Sequence, residues 1–275
     1  MLNEALLSIN QATTREQWSL PEAVAGYARQ GVHGIAVWHD KLREVGLAEG
    51  ARLLREHDMT VTGYCIGGLV TATDHAALSA ALDENRRAIE EAAVIGAQCI
   101  VFVAGGLVDG SKDLVDARAR CLDALDVLLP EAKAVGVTIA LEPLHPMMCA
   151  NRAVLTTLGE ANDWCDRLGA GGELGIAVDV YHLWWDPNLA HEIGRAGPRI
   201  VAFHINDWLE DTRDLRLDRG MMGDGVIDIP GIRAMVEATG YAGHREVEIF
   251  SSRDWWQRDP DEVVRIIKER YQTAV

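Results

Sequence analysis

Lysine is scarce in this chain: only Lys41, Lys112, Lys133 and Lys268 occur in 275 residues. None of the four falls at the C-terminal end of a strand-like run, so the nucleophile of a Schiff-base aldolase is missing. Basic residues as a whole are outnumbered, 26 Lys and Arg against 42 Asp and Glu, for a formal net charge of −16. So acidic a chain has no cationic excess to displace counterions from a phosphate backbone, and nucleic acid is not expected as a partner. The cysteines, Cys65, Cys99, Cys121, Cys149 and Cys165, are odd in number and lack CxxC spacing, which argues against a disulfide framework or a zinc–thiolate cluster. No run of about 18 apolar residues and no basic-then-apolar leader occurs, so a cytoplasmic location is expected and a membrane one is not. Walker loop, G-x-S-x-G elbow and dinucleotide fingerprint are absent too.

What is present is a globular composition, 48% hydrophobic and 25% charged, which fits neither disorder nor a membrane protein. Short β-rich runs alternate with longer amphipathic ones along the whole chain, the pattern of repeated βα units around a parallel sheet. Eight units can be drawn, with strands over Leu6–Ile9, Gly34–Trp38, Thr60–Tyr64, Cys99–Val103, Thr138–Glu142, Leu174–Asp179, Ile200–Ile205 and Glu246–Phe250. The longest helices are expected from His75 to Ile95 and from Asp113 to Val135, and Gly31, Gly96, Gly136 and Gly240 lead into following strands. No Pro/Ser-rich linker divides the chain. The expected fold is α/β, one (β/α)8 barrel domain over residues 1–275. An open doubly wound sheet is disfavoured because the first strand runs into Asn10-Gln11-Ala12-Thr13, without glycine.

Barrel enzymes build their sites at the C-terminal ends of strands. Four consecutive strands end there in metal-ligand types: Ala140-Leu141-Glu142, Ala177-Val178-Asp179, Ala202-Phe203-His204 and Glu246-Val247-Glu248. Any one of them alone reads equally well as a salt-bridged strand end. Four in cyclic order, each closing an apolar run where an unpaired charge is costly, point to one divalent metal ion. Three carboxylates and an imidazole suit Mn²⁺ first, with Mg²⁺, Co²⁺ or Zn²⁺ as alternatives.

Taken together, Leu141-Glu142-Pro143, Val178-Asp179-Val180-Tyr181-His182, Phe203-His204-Ile205-Asn206-Asp207, Gly223-Asp224-Gly225 with Ile227-Asp228, and Val247-Glu248-Ile249 resemble the xylose isomerase-like superfamily of sugar phosphate isomerases and epimerases. The resemblance implies that Glu142, Asp179, His204 and Glu248 hold the metal, that Glu142 and Glu248 also exchange protons with substrate, and that His182 and Arg219 contact it. Asn206 stands where such proteins frequently carry Lys. His145, in Glu142-Pro143-Leu144-His145-Pro146, adds a second candidate acid or base, though a plain loop histidine fits as well.

Tryptophans crowd the same rim: Trp38, Trp184, Trp185, Trp208, Trp255 and Trp256 all follow strands. Their flat faces suit the C–H surfaces of a sugar, and the alternative is packing across the barrel mouth. The Gly67-Gly68 and Gly105-Gly106 pairs read as turns. Because Gly223-Asp224-Gly225 places an acid where a phosphate would sit, the expected substrate is a neutral keto-sugar or sugar derivative. Proton abstraction through a metal-stabilised enediolate would make the protein a sugar isomerase or epimerase. Two alternatives stay open: a lyase, that is a dehydratase or a deglycosidase cleaving a 3-keto-glycoside, and a non-catalytic binding or scaffold subunit. A homo-oligomer or a small partner subunit is also left open.

Overall fold

The strand runs are rich in Val, Ile, Ala and Gly because both of their faces are covered, as parallel strands require. In the computed structural model, which describes residues 1–108, 110–169 and 171–275, these strands are β1 (Leu7–Asn10), β2 (Gly34–Trp38), β3 (Thr60–Gly68), β4 (Cys99–Val103), β5 (Thr138–Leu141), β6 (Leu174–Asp179), β7 (Ile200–Ile205) and β10 (Arg245–Val247). They pair in parallel around a closed barrel, with β10 joining β7 to β1. Two short strands, β8 (Asp207–Trp208) and β9 (Arg219–Gly220), form an antiparallel ribbon beyond the end of β7.

The expected bounds of β2, β4, β6 and β7 coincide with the observed ones. β3 runs four residues further than expected, since Tyr64 to Gly68 pair with Ile100 to Val103. The Gly67-Gly68 pair is therefore strand, not turn. Gly68 has φ +96°, and a Cβ there would lie 2.0 Å from the carbonyl oxygen of Val103, so the close approach of β3 to β4 requires glycine. β10 is shorter and earlier than the expected Glu246–Phe250, and Glu142 follows β5.

The long helices, His75–Ile95 and Leu114–Val135, start on capping aspartates (Asp74, Asp113) and end on left-handed glycines (Gly96, Gly136). Among the described residues no helix is long and apolar enough to cross a membrane.

Small side chains fill the lower barrel: Cys99, Ala140, Ala177 and Ala202 pack together inside it. Successive side chains of a strand point to opposite faces. Each inward Ala on β5, β6 and β7 is therefore followed, two residues on, by Glu142, Asp179 or His204 on the same interior line. β10 follows the same alternation with Glu246 and Glu248. Strand register sets Asp179 beside His204 and His204 beside Glu246.

Candidate metal centre and cavity

At the C-terminal mouth, Glu142, Asp179, His204 and Glu248 are buried, and one ligand atom from each lies within 4.8 Å of all the others. Ligands roughly 2.0–2.6 Å from a common ion stand at most about 5 Å apart, so this spacing fits one divalent cation. Charge balance points the same way. Four buried carboxylates, these three and Glu246, face the guanidinium of Arg219 and the imidazole of His204, which leaves an excess of negative charge that a divalent ion would neutralise.

Each group has a supporting partner. His204 Nδ1 lies 3.0 Å from Glu142 Oε1, and its Nε2 lies 3.5 Å from Glu246 Oε1 without a hydrogen-bond partner. Asn10 Nδ2 donates to both Glu246 (2.8 Å) and Glu248 (3.0 Å), and Thr62 donates to Glu246 at 2.6 Å. Asn206 Nδ2 donates to Asp179 at 3.1 Å. Arg219 Nη1 bridges Asp179 and Glu248 at 3.0 Å each.

The electrostatics follow from burial and charge. Burial favours neutral His204, but Glu246, Glu142 and Glu248 outweigh it and push the imidazole up to about 10. Burial first, with Glu142 and Asp179 adding to it against Arg219 and His204, pushes Glu248 up to about 8. Asp179 stays below the usual carboxylate range: burial opposes its charge, and Arg219, His182, His204 and the backbone N–H of Tyr181 together outweigh it. His182 is held neutral, pushed down to about 3 chiefly by burial. Its Nδ1 accepts the backbone N–H of His145 at 3.1 Å, and its Nε2 lies 3.3 Å from Arg219 Nη2 and 3.7 Å from Asp179 Oδ2.

Glu142, His182, Arg219 and Glu248 open onto a cavity that is also walled by Trp38, Phe250 and Leu144. Arg219, 40 residues beyond Asp179, reaches the centre because the β8–β9 ribbon folds the chain back over the mouth, where its guanidinium also lies over the rings of Tyr181 and Phe250. Of the tryptophans expected to touch substrate, Trp38 lines the cavity. Trp184 and Trp208 pack on each other, and Trp185 spends its N–H on the carbonyl of His182. Trp255 is buried beside Arg258. The His145 ring stacks on Trp208 and meets the edge of Trp185, while its backbone N–H donates to His182 Nδ1.

A model of the xylose isomerase-like TIM barrel matches residues 24–269. The chain belongs to that family. Among xylose isomerase-like relatives, the inosose isomerase of Halalkalibacterium halodurans is 25% identical over 96% of this chain and 94% of its own. Protein SMc04130 of Sinorhizobium meliloti 1021 is 49% identical, with a TM-score of 0.96 and 99% of each chain covered. The IolI protein, solved with a zinc atom, shares the fold at 20% identity, with a TM-score of 0.85 over 98% of this chain and 97% of its own.

This xylose isomerase-like barrel also carries site residues that the sequence reading passed over. Glu246 was visible in principle, since Glu-Val-Glu puts both acids on one strand face. Asn10 closes β1 with no neighbouring motif to mark it. Arg152, Arg216 and Phe250 sit in loops, where no periodicity marks them. Glu246→Gln is expected to weaken divalent-metal affinity by about 10–100-fold, the usual effect of removing a carboxylate that orients a ligand histidine. Isothermal calorimetry with Mn²⁺ checks this, and unchanged affinity would assign Glu246 a purely structural role.

Proposed function

We propose that the protein is a divalent-metal-dependent isomerase or epimerase of a small carbonyl sugar. The observation that carries this reading is the convergence of four metal-ligand side chains at the floor of a cavity into which two of them, Glu142 and Glu248, also face. The relative named inosose isomerase supports the reaction class. The donor set is rich in oxygen, which favours Mn²⁺, while the single imidazole also accommodates Zn²⁺.

A bound divalent ion would supply Lewis acidity at a substrate carbonyl and its neighbouring hydroxyl, making the C–H between them removable as an enediolate forms. Glu142 and Glu248, three strands apart around the barrel, are placed to take that proton and return it to a second carbon or face. Neutral His182 lines the cavity beside Arg219, which holds Asp179 and Glu248 in position. A lyase would use the rim tryptophans and His145 to receive an aromatic leaving group; those rings are occupied with one another, so isomerisation or epimerisation is preferred. A scaffold subunit has no use for two cavity-facing glutamates.

The test is proton exchange in D₂O across a panel of keto-sugars with the Mn²⁺-loaded protein. Chelator-sensitive deuterium incorporation next to the carbonyl is expected, and its absence throughout would overturn the proposal. Metal loading is also expected to release about two protons per ion at pH 7, because His204 and Glu248 both hold protons there and both must lose them to coordinate. Calorimetry in buffers of different ionisation enthalpy measures the number; a value near zero would contradict the ligand assignment.

A further inference from the structure

The cavity wall above the acidic floor is cationic. Arg152, on the loop after β5, and Arg216, in the excursion between β8 and β9, line the same cavity as Glu142 and Glu248. Arginines in this acidic protein are nearly all paired wherever they lose solvent. Among the described residues Arg152 is the one half-buried arginine with no carboxylate within 4.0 Å, and Arg216, which is exposed, has none either. The Arg216 guanidinium lies 5.7 Å from the ring of Phe250, itself part of the cavity wall. Burial and then the neighbouring Arg216 depress the pKa of Arg152, against the attraction of Glu142.

The acid on which a neutral substrate was expected does not offset them. Asp224 pairs with Arg270 on the last helix, and the backbone N–H groups of Gly223, Gly225 and Ile227 all donate to Asp207. The Gly-Asp-Gly loop therefore neither repels an anion from the cavity nor offers free N–H groups to one.

We propose that Arg152 and Arg216 form a clamp for an oxyanion, a carboxylate or a phosphate, borne by the end of the substrate away from the reacting carbons. This departs from the neutral substrate expected from sequence and rests on the cavity being the substrate site. Planar guanidinium groups match either oxyanion through paired N–H donors. With the loop N–H groups committed to Asp207, a carboxylate, which two arginines can satisfy, is the better match.

The test compares D-fructose, D-fructuronate and D-fructose 6-phosphate, which share C1 to C5 and differ at C6, by calorimetric binding to the Mn²⁺-loaded protein. At least about tenfold tighter binding of an anionic member is expected, as charge-assisted hydrogen bonds supply. That advantage should vanish in Arg152→Ala/Arg216→Ala, leaving the anionic members no tighter than fructose, and Arg152→Lys should restore only part of it. Whether the fructuronate or the phosphate arm is the tighter identifies the oxyanion. Equal or better binding of fructose, an advantage that survives the double substitution, or no binding by any of the three would overturn the clamp. Deuterium exchange measured on the same samples separates the two proposals: discrimination without exchange would leave the clamp standing and remove the isomerase reading, and exchange without discrimination would do the reverse.

Discussion

Glu248→Gln is expected to lower turnover by about 10²–10⁴-fold, the range associated with a positioned acid or base, while the barrel stays folded. The amide matches the carboxylate in shape and keeps an oxygen for Asn10 Nδ2, now 3.0 Å away. In the metal-free protein Glu248 is pushed up to about 8, so at pH 7 a neutral side chain already occupies this position. Replacing it with a neutral amide therefore costs the empty fold little. What the amide cannot do is take a proton or lend negative charge to a cation. Glu142→Gln should behave alike in turnover, since its carboxylate shares the cavity and lies against His204. Steady-state rates paired with thermal melts check both variants; turnover within tenfold of the parent in either one would remove that glutamate from the chemistry.

Stripping the metal with a chelator is expected to abolish turnover and to lower the melting temperature by roughly 10 °C, with Mn²⁺ restoring both. Free ion at about 1,000 times its dissociation constant stabilises the folded chain by about 4 kcal/mol, and a domain of this size shifts by roughly 2–4 °C per kcal/mol. The effect should grow with pH. Glu248 has a folded-state pKa raised from 4.5 to about 8, so its proton stabilises the metal-free fold fully below pH 4.5, and that contribution is lost as pH rises through 8. His204, raised from 6.5 to about 10, adds the same sign in a higher window. The metal therefore gains affinity and stabilisation as pH rises toward 8, and more slowly from there to about 10. Melting curves with and without Mn²⁺ across that range test the trend, and a gap that narrows with rising pH would contradict it.

The sequence alone determined the barrel and which four side chains converge at its mouth, for a local reason. Strand alternation has a period of two, so Ala140 and Glu142, Ala177 and Asp179, and Ala202 and His204 must share the interior face once the strands are recognised, and strand order then brings the ligands round one mouth. Side chains outside the strands obey no such rule. The tertiary structure decided that Trp184, Trp185, Trp208 and the His145 ring engage their neighbours while Trp38 and Phe250 face the cavity, because the direction of a loop side chain depends on what packs beside it. It also decided the place of Arg219, whose distance in sequence is closed by the β8–β9 ribbon. The charge of the cavity wall likewise could not be read from a total of −16, because net charge counts residues wherever they lie, and only the fold sets Arg152 and Arg216 over the mouth while tying Asp224 to Arg270.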